Sequence, residues 1–520
     1  MTGAMRGGAA LAILGVLAGC GGGGGGSSGG RVLTPSGKSY TAGVFQPSSS
    51  FAALCAAPRA GTADRQGSAT SENNFLRSWT HELYLWYREA PDLNPASFST
   101  PDYFERLRTS AITASGQPKD KFHFTFDTAD WEALSQAGVA AGYGAQWIII
   151  GSAPTRRVVA AYTEPGSPAI TAGLSRGVEV LTADGVSVAS GTSSAQIATL
   201  NAAFFPDDTG QSHTFQIREL TGTTRTVTMS SADVTSTPVQ NVAVIQTGTG
   251  PVGYILFNDH IATSEPQLIS AINTLRNQSV VDLVLDIRYN GGGFLDIASE
   301  LAYMIAGSAT GGRTFEKLVF NDQHPTTNPV TGQPLTPTPF HTTAKFISAG
   351  QSLPTLNLQR VYVLTGDNTC SASESIINSL SGIDVDVYQI GSTTCGKPYG
   401  FYPESNCGTT YFSIQFQGLN EKNFGDYSDG YSPQNTVGLP AGYAAALPGC
   451  SVADDFTRQL GDALESRLAA ALNYRMSNNQ QCPAASGFGP GTVGKPGLSL
   501  AATDGVMHKS PWRENRILID

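Results

Sequence analysis

Two polar residues in the second half of the chain, Ser371 and Lys397, have the types and positions that nucleophilic chemistry requires. Each comes after an apolar, β-branched run typical of a buried strand, at residues 361–364 and 385–390. Ser371 also opens a predicted helix. If the two strands are neighbours in a parallel sheet, both side chains can meet at one sheet edge. A serine hydroxyl is a weak nucleophile that needs an adjacent base, and a lysine can be that base.

Each residue also has a purely structural explanation. Ser371-Ala372-Ser373-Glu374 matches a capping box, in which the serine caps the helix and the glutamate bonds back to its backbone. Residues 391–397 nearly spell a phosphate-binding P-loop, but Pro398 replaces the hydroxyl residue that would hold Mg²⁺. A solvated lysine is the remaining alternative, which the aromatic residues and prolines after Lys397 disfavour.

A third loop has residues suited to stabilising a developing negative charge. Asn290-Gly291-Gly292-Gly293 follows an apolar strand predicted at 282–287 and precedes a helix predicted at 294–306. Glycines let backbone N–H groups point inward without a side chain in the way, which suits an oxyanion hole. A tight turn explains the same glycines equally well.

Strand and helix patterns alternate around these loops. Residues 253–257 form a predicted strand, and 265–276 a helix with one apolar face. This alternation predicts an α/β core with an open, mostly parallel sheet and helices on both faces. Leucine and phenylalanine at every fourth position predict another amphipathic helix over 454–474.

The region before this core divides into two parts. Aromatic residues at helical spacing predict a helix over 73–89, ended by Pro91, within a small N-terminal helical domain. Residues 138–235 are β-rich and contain Gly166-Ser167-Pro168-Ala169, then Ala172-Gly173-Leu174 and an Asp184-Gly185 turn. This order resembles a bacterial PDZ domain, although a generic β-module with turn glycines is the alternative.

PDZ domains bind chain ends by adding a strand to a sheet edge and offering backbone N–H groups to the terminal carboxylate. The corresponding peptide-binding loop is predicted at Tyr143, Gly144 and Ala145.

Taken in order, the motifs resemble those of the C-terminal processing (tail-specific) serine proteases. A PDZ-like segment is followed by Asp-Ile-Arg-x-Asn-x-Gly-Gly at 286–293, Ser-Ala-Ser-Glu at 371–374 and Gly-Lys at 396–397, over roughly residues 138–475. The resemblance implies a crotonase-like α/β protease core. It also implies that Ser371 is the nucleophile, that Lys397 is the general base, and that the N–H groups of Gly292, Gly293 and Ala372 form the oxyanion hole.

A serine endopeptidase that cleaves proteins near their C-termini is therefore expected, with the PDZ domain recruiting substrate C-termini. A lysine base must be neutral, so burial has to lower its pKa from about 10.4. The chain departs from the family at position 401, where Phe401 replaces a glutamine that commonly orients the base. His260 is a weak further candidate for the site.

Two other functions remain open. A catalytically silent peptide- or ligand-binding protein on the same fold is the alternative, which the presence of both Ser371 and Lys397 disfavours. An esterase-like hydrolase is disfavoured because no Gly-x-Ser-x-Gly motif occurs.

Six cysteines follow Cys20, and an even number in an exported protein indicates disulfides with about 15 possible pairings. Cys370 and Cys395 flank Ser371 and Lys397 in the same way, so they are expected to pair if the two loops touch. Cys407–Cys450 is a weaker prediction. Because no Cys-x-x-Cys occurs, a zinc cluster is disfavoured, and neither a metal nor a cofactor is predicted.

The N-terminus resembles that of a bacterial lipoprotein. A short apolar run ends in Leu17-Ala18-Gly19-Cys20, which predicts lipidation of Cys20, with an ordinary signal peptide as the alternative. Gly21, rather than aspartate, resembles a signal for the periplasmic face of the outer membrane. The anchor would be the chain's one contact with the membrane.

Composition sets the remaining limits. The chain of 520 residues has a net charge of −10 and no basic stripe, so nucleic acid is not an expected partner. Polypeptides bound through their C-termini are the expected partners, and the oligomeric state is left open. The predicted domains are a lipoprotein signal peptide (1–20), a Gly/Ser-rich tether and linker (21–70), an N-terminal helical domain (71–137), a PDZ domain (138–235), a serine protease core (236–482) and a Gly/Pro-rich tail (483–520).

Overall fold

The computed structural model describes residues 40–151, 153–490 and 515–517. No helix in these ranges is long and apolar enough to cross a membrane. The predicted signal peptide, the lipidation site Cys20 and most of the predicted tail lie outside the described residues.

The described helices and strands fall into three successive regions. The N-terminal region contains short strands and helices: β1 (Leu54–Cys55), β2 (Arg65–Gln66), α1 (Ala69–Leu83), α2 (Thr100–Arg106), β3 (Phe124–Asp127) and α3 (Thr128–Glu132). The second region is β-rich: β4 (Val139–Gly142), β5 (Ala145–Ile150), β6 (Arg157–Thr163), α4 (Pro168–Thr171), β7 (Glu179–Ala183), β8 (Val186–Ser187), α5 (Ser194–Phe204), β9 (Ser212–Arg218), β10 (Thr224–Ser230) and β11 (Ala232–Thr235).

The third region alternates strands with helices. Its elements are β12 (Val239–Ile245), β13 (Val252–Phe257), α6 (Ser264–Asn277), β14 (Asp282–Asp286), β15 (Gly292–Phe294), α7 (Leu295–Ala306), β16 (Thr314–Val319), β17 (Thr338–Pro339), β18 (Arg360–Thr365), α8 (Ala372–Gly382), β19 (Asp386–Gly391), β20 (Tyr399–Gly400), β21 (Glu404–Asn406), β22 (Thr409–Phe412), β23 (Phe416–Leu419), β24 (Ser432–Pro433), β25 (Ala446–Leu447), β26 (Gly449–Ser451) and α9 (Ser466–Met476). A further strand, β27, spans Asn515–Ile517.

The third region is built on a six-stranded sheet in the order β12-β13-β14-β18-β19-β26. Only the β12–β13 pair is antiparallel, so the predicted mostly parallel sheet is confirmed. Alternate residues of β18 face opposite sides: Val361 and Val363 join the cluster with α6, α7 and α8, whereas Tyr362 and Leu364 join the one with α9. Burial on both faces explains why these strands read as continuous apolar runs.

Order along the sheet places the candidate loops together. β18 lies between β14 and β19 in parallel register. The glycine loop follows β14, Ser371 follows β18 and Lys397 follows β19, so all three loops leave the same edge of the sheet.

Two predicted helix boundaries are wrong. Helix α1 starts earlier than residue 73, because the Ser68 side chain accepts the N–H of Ser71, and it ends at Leu83, well before Pro91. Helix α9 covers only Ser466–Met476. The predicted first turns at 454–465 are not helical, because the partly buried Asp454 carboxylate binds arginines from elsewhere in the fold.

Residues 41–132 pack against the α/β core. Strand β3 pairs antiparallel with β22, and Phe104 contacts the ring of Tyr411. A disulfide joins Cys55 to Cys407, with Cα atoms 5.4 Å apart, and another joins Cys450 to Cys482. The predicted Cys407–Cys450 pair is therefore wrong, because both cysteines already have partners.

The β-rich region is consistent with the predicted PDZ domain, and β5 lies at one edge of its sheet. Arg176 connects it to the core: the guanidinium donates to the Tyr289 hydroxyl at 2.6 Å and pairs with Asp454 at 2.7 Å. Arg288, fully buried, pairs with Asp286, Asp454 and Glu465. Burial acts to raise the pKa of Asp454, but the charges of Arg467, Arg288 and Arg176 hold it well below its usual range.

A buried pair of glutamates, Glu265 on α6 and Glu300 on α7, makes the stability of the fold sensitive to pH. Burial, followed by the nearby Glu265 charge, raises the pKa of Glu300 to about 9. Folded Glu300 therefore holds a proton that the unfolded chain releases above its ordinary pKa of about 4.5. Between about pH 4.5 and about pH 9, Glu300 therefore makes the unfolding free energy fall as pH rises. The fall is at most about 1.4 kcal/mol per pH unit.

Glu300→Gln is expected to flatten this part of the pH profile. Chemical unfolding at several pH values measures the slope, and Glu105→Gln, on the exposed end of α2, is the control that should leave it unchanged. An identical slope in Glu300→Gln and the unmodified protein would show that Glu300 does not carry the proton.

Candidate active site

Ser371 lies at the turn between β18 and α8, in a backbone conformation that is rare for a residue with a side chain. Its φ is +58°, in the left-handed region, a conformation that costs on the order of 1–3 kcal/mol. The side chain is fully buried, and its hydroxyl has no hydrogen-bond partner within the described part of the chain. A strained, buried and unpartnered hydroxyl is a poor helix cap and is available for another role.

Lys397 lies in the loop after β19, and its side chain is fully buried. Its Nζ atom is 4.4 Å from the ring centre of Phe401 and 4.7 Å from that of Phe122. Phe401, which stands where many family members have glutamine, thus forms one wall of an aromatic box around the amine. The other wall, Phe122, comes from the N-terminal region, which no sequence pattern placed beside Lys397.

Glu374 links the serine loop to the lysine loop. One carboxylate oxygen, Oε2, accepts the N–H of Ser371 at 2.9 Å and the N–H of Lys397 at 2.8 Å. The other, Oε1, accepts the N–H of Gly396 at 2.9 Å and the Thr394 hydroxyl. Glu374 therefore accepts the backbone N–H of Ser371, as the predicted capping box requires. The same carboxylate also accepts the N–H of Lys397, so it joins the two candidate loops.

Burial raises the pKa of Glu374, while its hydrogen bonds, beginning with that of Thr394, act in the opposite direction. A disulfide also joins the two loops, between Cys370 and Cys395, whose Cα atoms are 5.2 Å apart. Glu374 and these two sulfurs form a cluster of potential metal ligands. Because the sulfurs are bonded to each other, they cannot act as thiolate ligands.

The glycine loop is held by Asn290. The Asn290 side-chain oxygen accepts the N–H of Gly292 at 2.9 Å, so that N–H is used inside the loop. The Asn290 carbonyl accepts the N–H of Cys370 at 3.1 Å and the Ser373 hydroxyl at 3.0 Å. Asn290 thus fixes the glycine loop against both sides of Ser371.

The backbone N–H and C=O groups of Gly293 face away from His260. The His260 N–H donates to the carbonyl of Gly292 at 3.1 Å, and the Phe294 N–H donates to the carbonyl of His260 at 2.8 Å. Because successive residues of a strand point their polar groups to opposite sides, the N–H and C=O of Gly293 face the other way. A Cβ atom at Gly293 would lie 2.4 Å from the His260 carbonyl oxygen, so only glycine fits.

Ala372 begins helix α8, so its N–H has no intrahelical partner. Three N–H groups were predicted as oxyanion donors, and that of Gly292 is bonded to the Asn290 side chain. The N–H groups of Gly293 and Ala372 are therefore the two that can bind a ligand.

His260 lies under the glycine loop, closer to the site than the sequence indicated. Its Nδ1 is 2.9 Å from the Asn290 side-chain oxygen, and Nε2 has no partner among the described residues. Burial lowers the pKa of His260 to about 3, so the ring is neutral at neutral pH. Because the Asn290 oxygen only accepts, Nδ1 carries the proton. The polar run Asn258-Asp259-His260 directly after an apolar strand was the available sequence signal.

The predicted peptide-binding loop lies between β4 and β5. The carbonyls of Tyr143 and Gly144 accept the N–H groups of Ala169 and Glu164, at 2.9 and 2.7 Å. The Tyr143 ring is buried in the core of the β-rich region, whereas Ala145 begins the edge strand β5. The loop is therefore rigidly held at the start of a strand that has one free edge among the described strands.

A buried serine at a strand–helix turn, a buried lysine on the next loop and a glycine loop beside them form the arrangement of an α/β serine hydrolase site. Residues 251–400 match the family model described as Peptidase family S41. The matched stretch includes all three loops.

One curated relative is also similar in sequence. The chain is 27% identical over 235 residues to a carboxyl-terminal-processing protease of Picosynechococcus sp., a match that covers 45% of this chain and 49% of the relative. The chain thus spans about half the length of that curated relative.

One solved structure shares the fold. A Bacteroides fragilis protein assigned to the S41 proteases superposes with a TM-score of 0.58 at 23% identity, over 78% of this chain and 98% of that one. A photosystem II D1 C-terminal processing protease gives a TM-score of 0.42 at 19% identity, over 78% and 100% of the two chains. The first of these confirms the predicted fold class.

Proposed function

We propose that this chain is a serine endopeptidase of the cell envelope that cleaves polypeptides near their C-termini, with Ser371 as nucleophile and Lys397 as general base. The observation that carries the proposal is the single Glu374 oxygen that accepts the N–H of both residues, which brings their backbones together. The unpartnered Ser371 hydroxyl supports the nucleophile assignment.

The mechanism follows from the positions of these groups. Ser371 Oγ attacks the scissile carbonyl while Lys397 takes the hydroxyl proton and later gives it to the leaving amine. A lysine can accept a proton only when it is uncharged, and full burial favours that form. The N–H groups of Gly293 and Ala372 stabilise the oxyanion, and water then releases the acyl group from Ser371.

The β-rich region is proposed to recruit the substrate. A peptide added to the free edge of β5 would direct its end toward the loop at Tyr143, Gly144 and Ala145, as in the PDZ mode of binding. Three disulfides are typical of a protein outside the cytoplasm, which supports a cell-envelope location. Lipidation at Cys20, with attachment to the periplasmic face of the outer membrane, and the domain boundaries at 71–137, 138–235 and 236–482 stay part of this proposal.

Cleavage of an unfolded polypeptide tests the function directly. The purified protein is incubated with two versions of one peptide, with a free and with an amidated C-terminus, and the products are mapped by mass spectrometry. Cuts near the C-terminus of the free-acid peptide, and slower cleavage of the amide, are expected. Binding of both peptides without any cleavage would favour the silent binding protein instead.

Glu374→Gln tests the residue that positions both loops. Glutamine has one acceptor oxygen, so two of the four donors around the carboxylate lose their partner, at a cost of about 1–3 kcal/mol in unfolding free energy. We expect kcat to fall about tenfold or more, since about 1.4 kcal/mol corresponds to a factor of ten, with KM nearly unchanged. A lower thermal midpoint with normal kcat would limit Glu374 to a structural role.

The disulfide at the site is expected to preserve activity as well as stability. Replacing Cys370 and Cys395 together by serine should lower the unfolding free energy by about 3 kcal/mol and also lower kcat. The matched control is the Cys450–Cys482 pair, whose separation of 32 residues is close to the 25 of the first pair. Serine at those positions should cost similar stability but leave kcat near normal, and equal kcat values in the two double variants would contradict a positioning role.

A further inference from the structure

Strand β27, the one described segment after residue 490, lies at the candidate site. Asn515–Ile517 pairs in parallel with Gly292–Phe294, and Arg516 is opposite Gly293. Cα atoms of β27 also lie within 8 Å of Cα atoms in α8 and β20. Helix α8 begins one residue after Ser371, and strand β20 begins two residues after Lys397. The segment therefore lies among all three candidate loops.

The pairing uses the backbone groups that the mechanism assigns to substrate. The carbonyl of Gly292 and the N–H of Phe294 are bonded to His260, so these groups face away from β27. In a parallel pair the groups that remain for β27 are the N–H and C=O of Gly293. The same N–H is the proposed oxyanion donor, and it cannot serve both partners at once.

We propose that the segment Asn515–Ile517 is a tethered competitor of peptide substrates, which occupies the substrate strand position beside Gly293 and holds the site closed to other polypeptides. The inference rests on the proposed function, because it takes that site to be the substrate site. Main-chain pairing of this kind requires no particular side chains, so one chain's own strand and a foreign peptide strand compete on equal terms.

Tethering makes even weak pairing effective. A segment attached to the same chain as its binding site has an effective concentration of about 1 mM. A segment that would bind with a Kd of about 0.1 mM as a free peptide therefore occupies about nine sites in ten when it is attached to the chain. Removal of the segment is accordingly expected to raise kcat/KM for added peptide about tenfold.

A kinetic comparison tests the competition. The variants are a chain ending at Ser510 and Ile517→Pro, which removes the N–H that the register places against the Gly293 carbonyl. Both should cleave a reporter peptide about tenfold faster than the unmodified chain. Ala502→Pro, which adds a proline to the same tail outside the paired strand, should not. Equal rates for the unmodified chain, the shortened chain and Ile517→Pro would overturn the proposal.

A binding measurement separates this inference from the proposed function, because it needs no catalysis. In a Ser371→Ala background, fluorescence anisotropy follows a labelled synthetic peptide of residues 511–520. The shortened chain should bind it about tenfold more tightly than the full chain, whose own segment competes. Equal affinities would refute the tethered competitor, even if the protein proves to be a peptidase. Tighter binding by the shortened chain would support it, even if no variant cleaves any peptide.

Discussion

Alanine in place of Ser371 is expected to lower the rate of peptide cleavage by about 10⁴- to 10⁶-fold, the loss seen when a serine peptidase loses its nucleophile. No neighbouring hydroxyl can replace it, because the nearby Ser373 hydroxyl already donates to the Asn290 carbonyl. Stability should not fall with activity. The Ser371 hydroxyl has no partner in the described chain, so its removal leaves no donor or acceptor unsatisfied.

Helix α8 supplies a closely matched control. Ser379 is also buried, and its hydroxyl likewise has no partner among the described residues. Ser379→Ala therefore removes the same group from the same helix, two turns away from the site. Rates of cleavage and thermal midpoints of both variants separate the two effects: Ser371→Ala should lose activity at an unchanged midpoint, and Ser379→Ala should lose neither. Comparable activity in the two variants would exclude Ser371 as the nucleophile.

The sheet and its loops were predictable because their signals are local. A strand buried on both faces must be a continuous apolar run, so the strands before the three loops were visible in the sequence. Glycine at 293 is required by the approach of the His260 carbonyl, and three consecutive glycines mark such a site even when the neighbour is unknown.

What the sequence could not reveal depends on contacts between distant residues. A capping-box glutamate and one that bridges two loops share the same motif, and only the fold shows that Glu374 also accepts the N–H of Lys397. Phe122 forms a wall around Lys397 although nothing near it in sequence suggests this role. Helix α9 is shorter than its leucine spacing indicated, because Asp454 is drawn into a buried pairing with Arg176 and Arg288.

Methionine in place of Lys397 is expected to reduce kcat by about 10²- to 10⁴-fold, the usual contribution of a general base. Methionine has a similar length and packs well against aromatic rings, so it should fill the box formed by Phe122 and Phe401. The variant should therefore remain folded, because methionine keeps the apolar contact with both rings. Lys317→Met, on β16 where the amine binds Asn423, is the control and should keep full activity.

Arginine at position 397 distinguishes a base from a fixed positive charge. A guanidinium keeps its charge at any pH the protein survives, so it can attract an oxyanion but cannot take the proton of Ser371. If Lys397 acts as the base, Lys397→Arg should be as inactive as Lys397→Met in the same cleavage assay. Substantial activity in the arginine variant alone would mean that Lys397 works through its charge, and the proton of Ser371 would then need another acceptor.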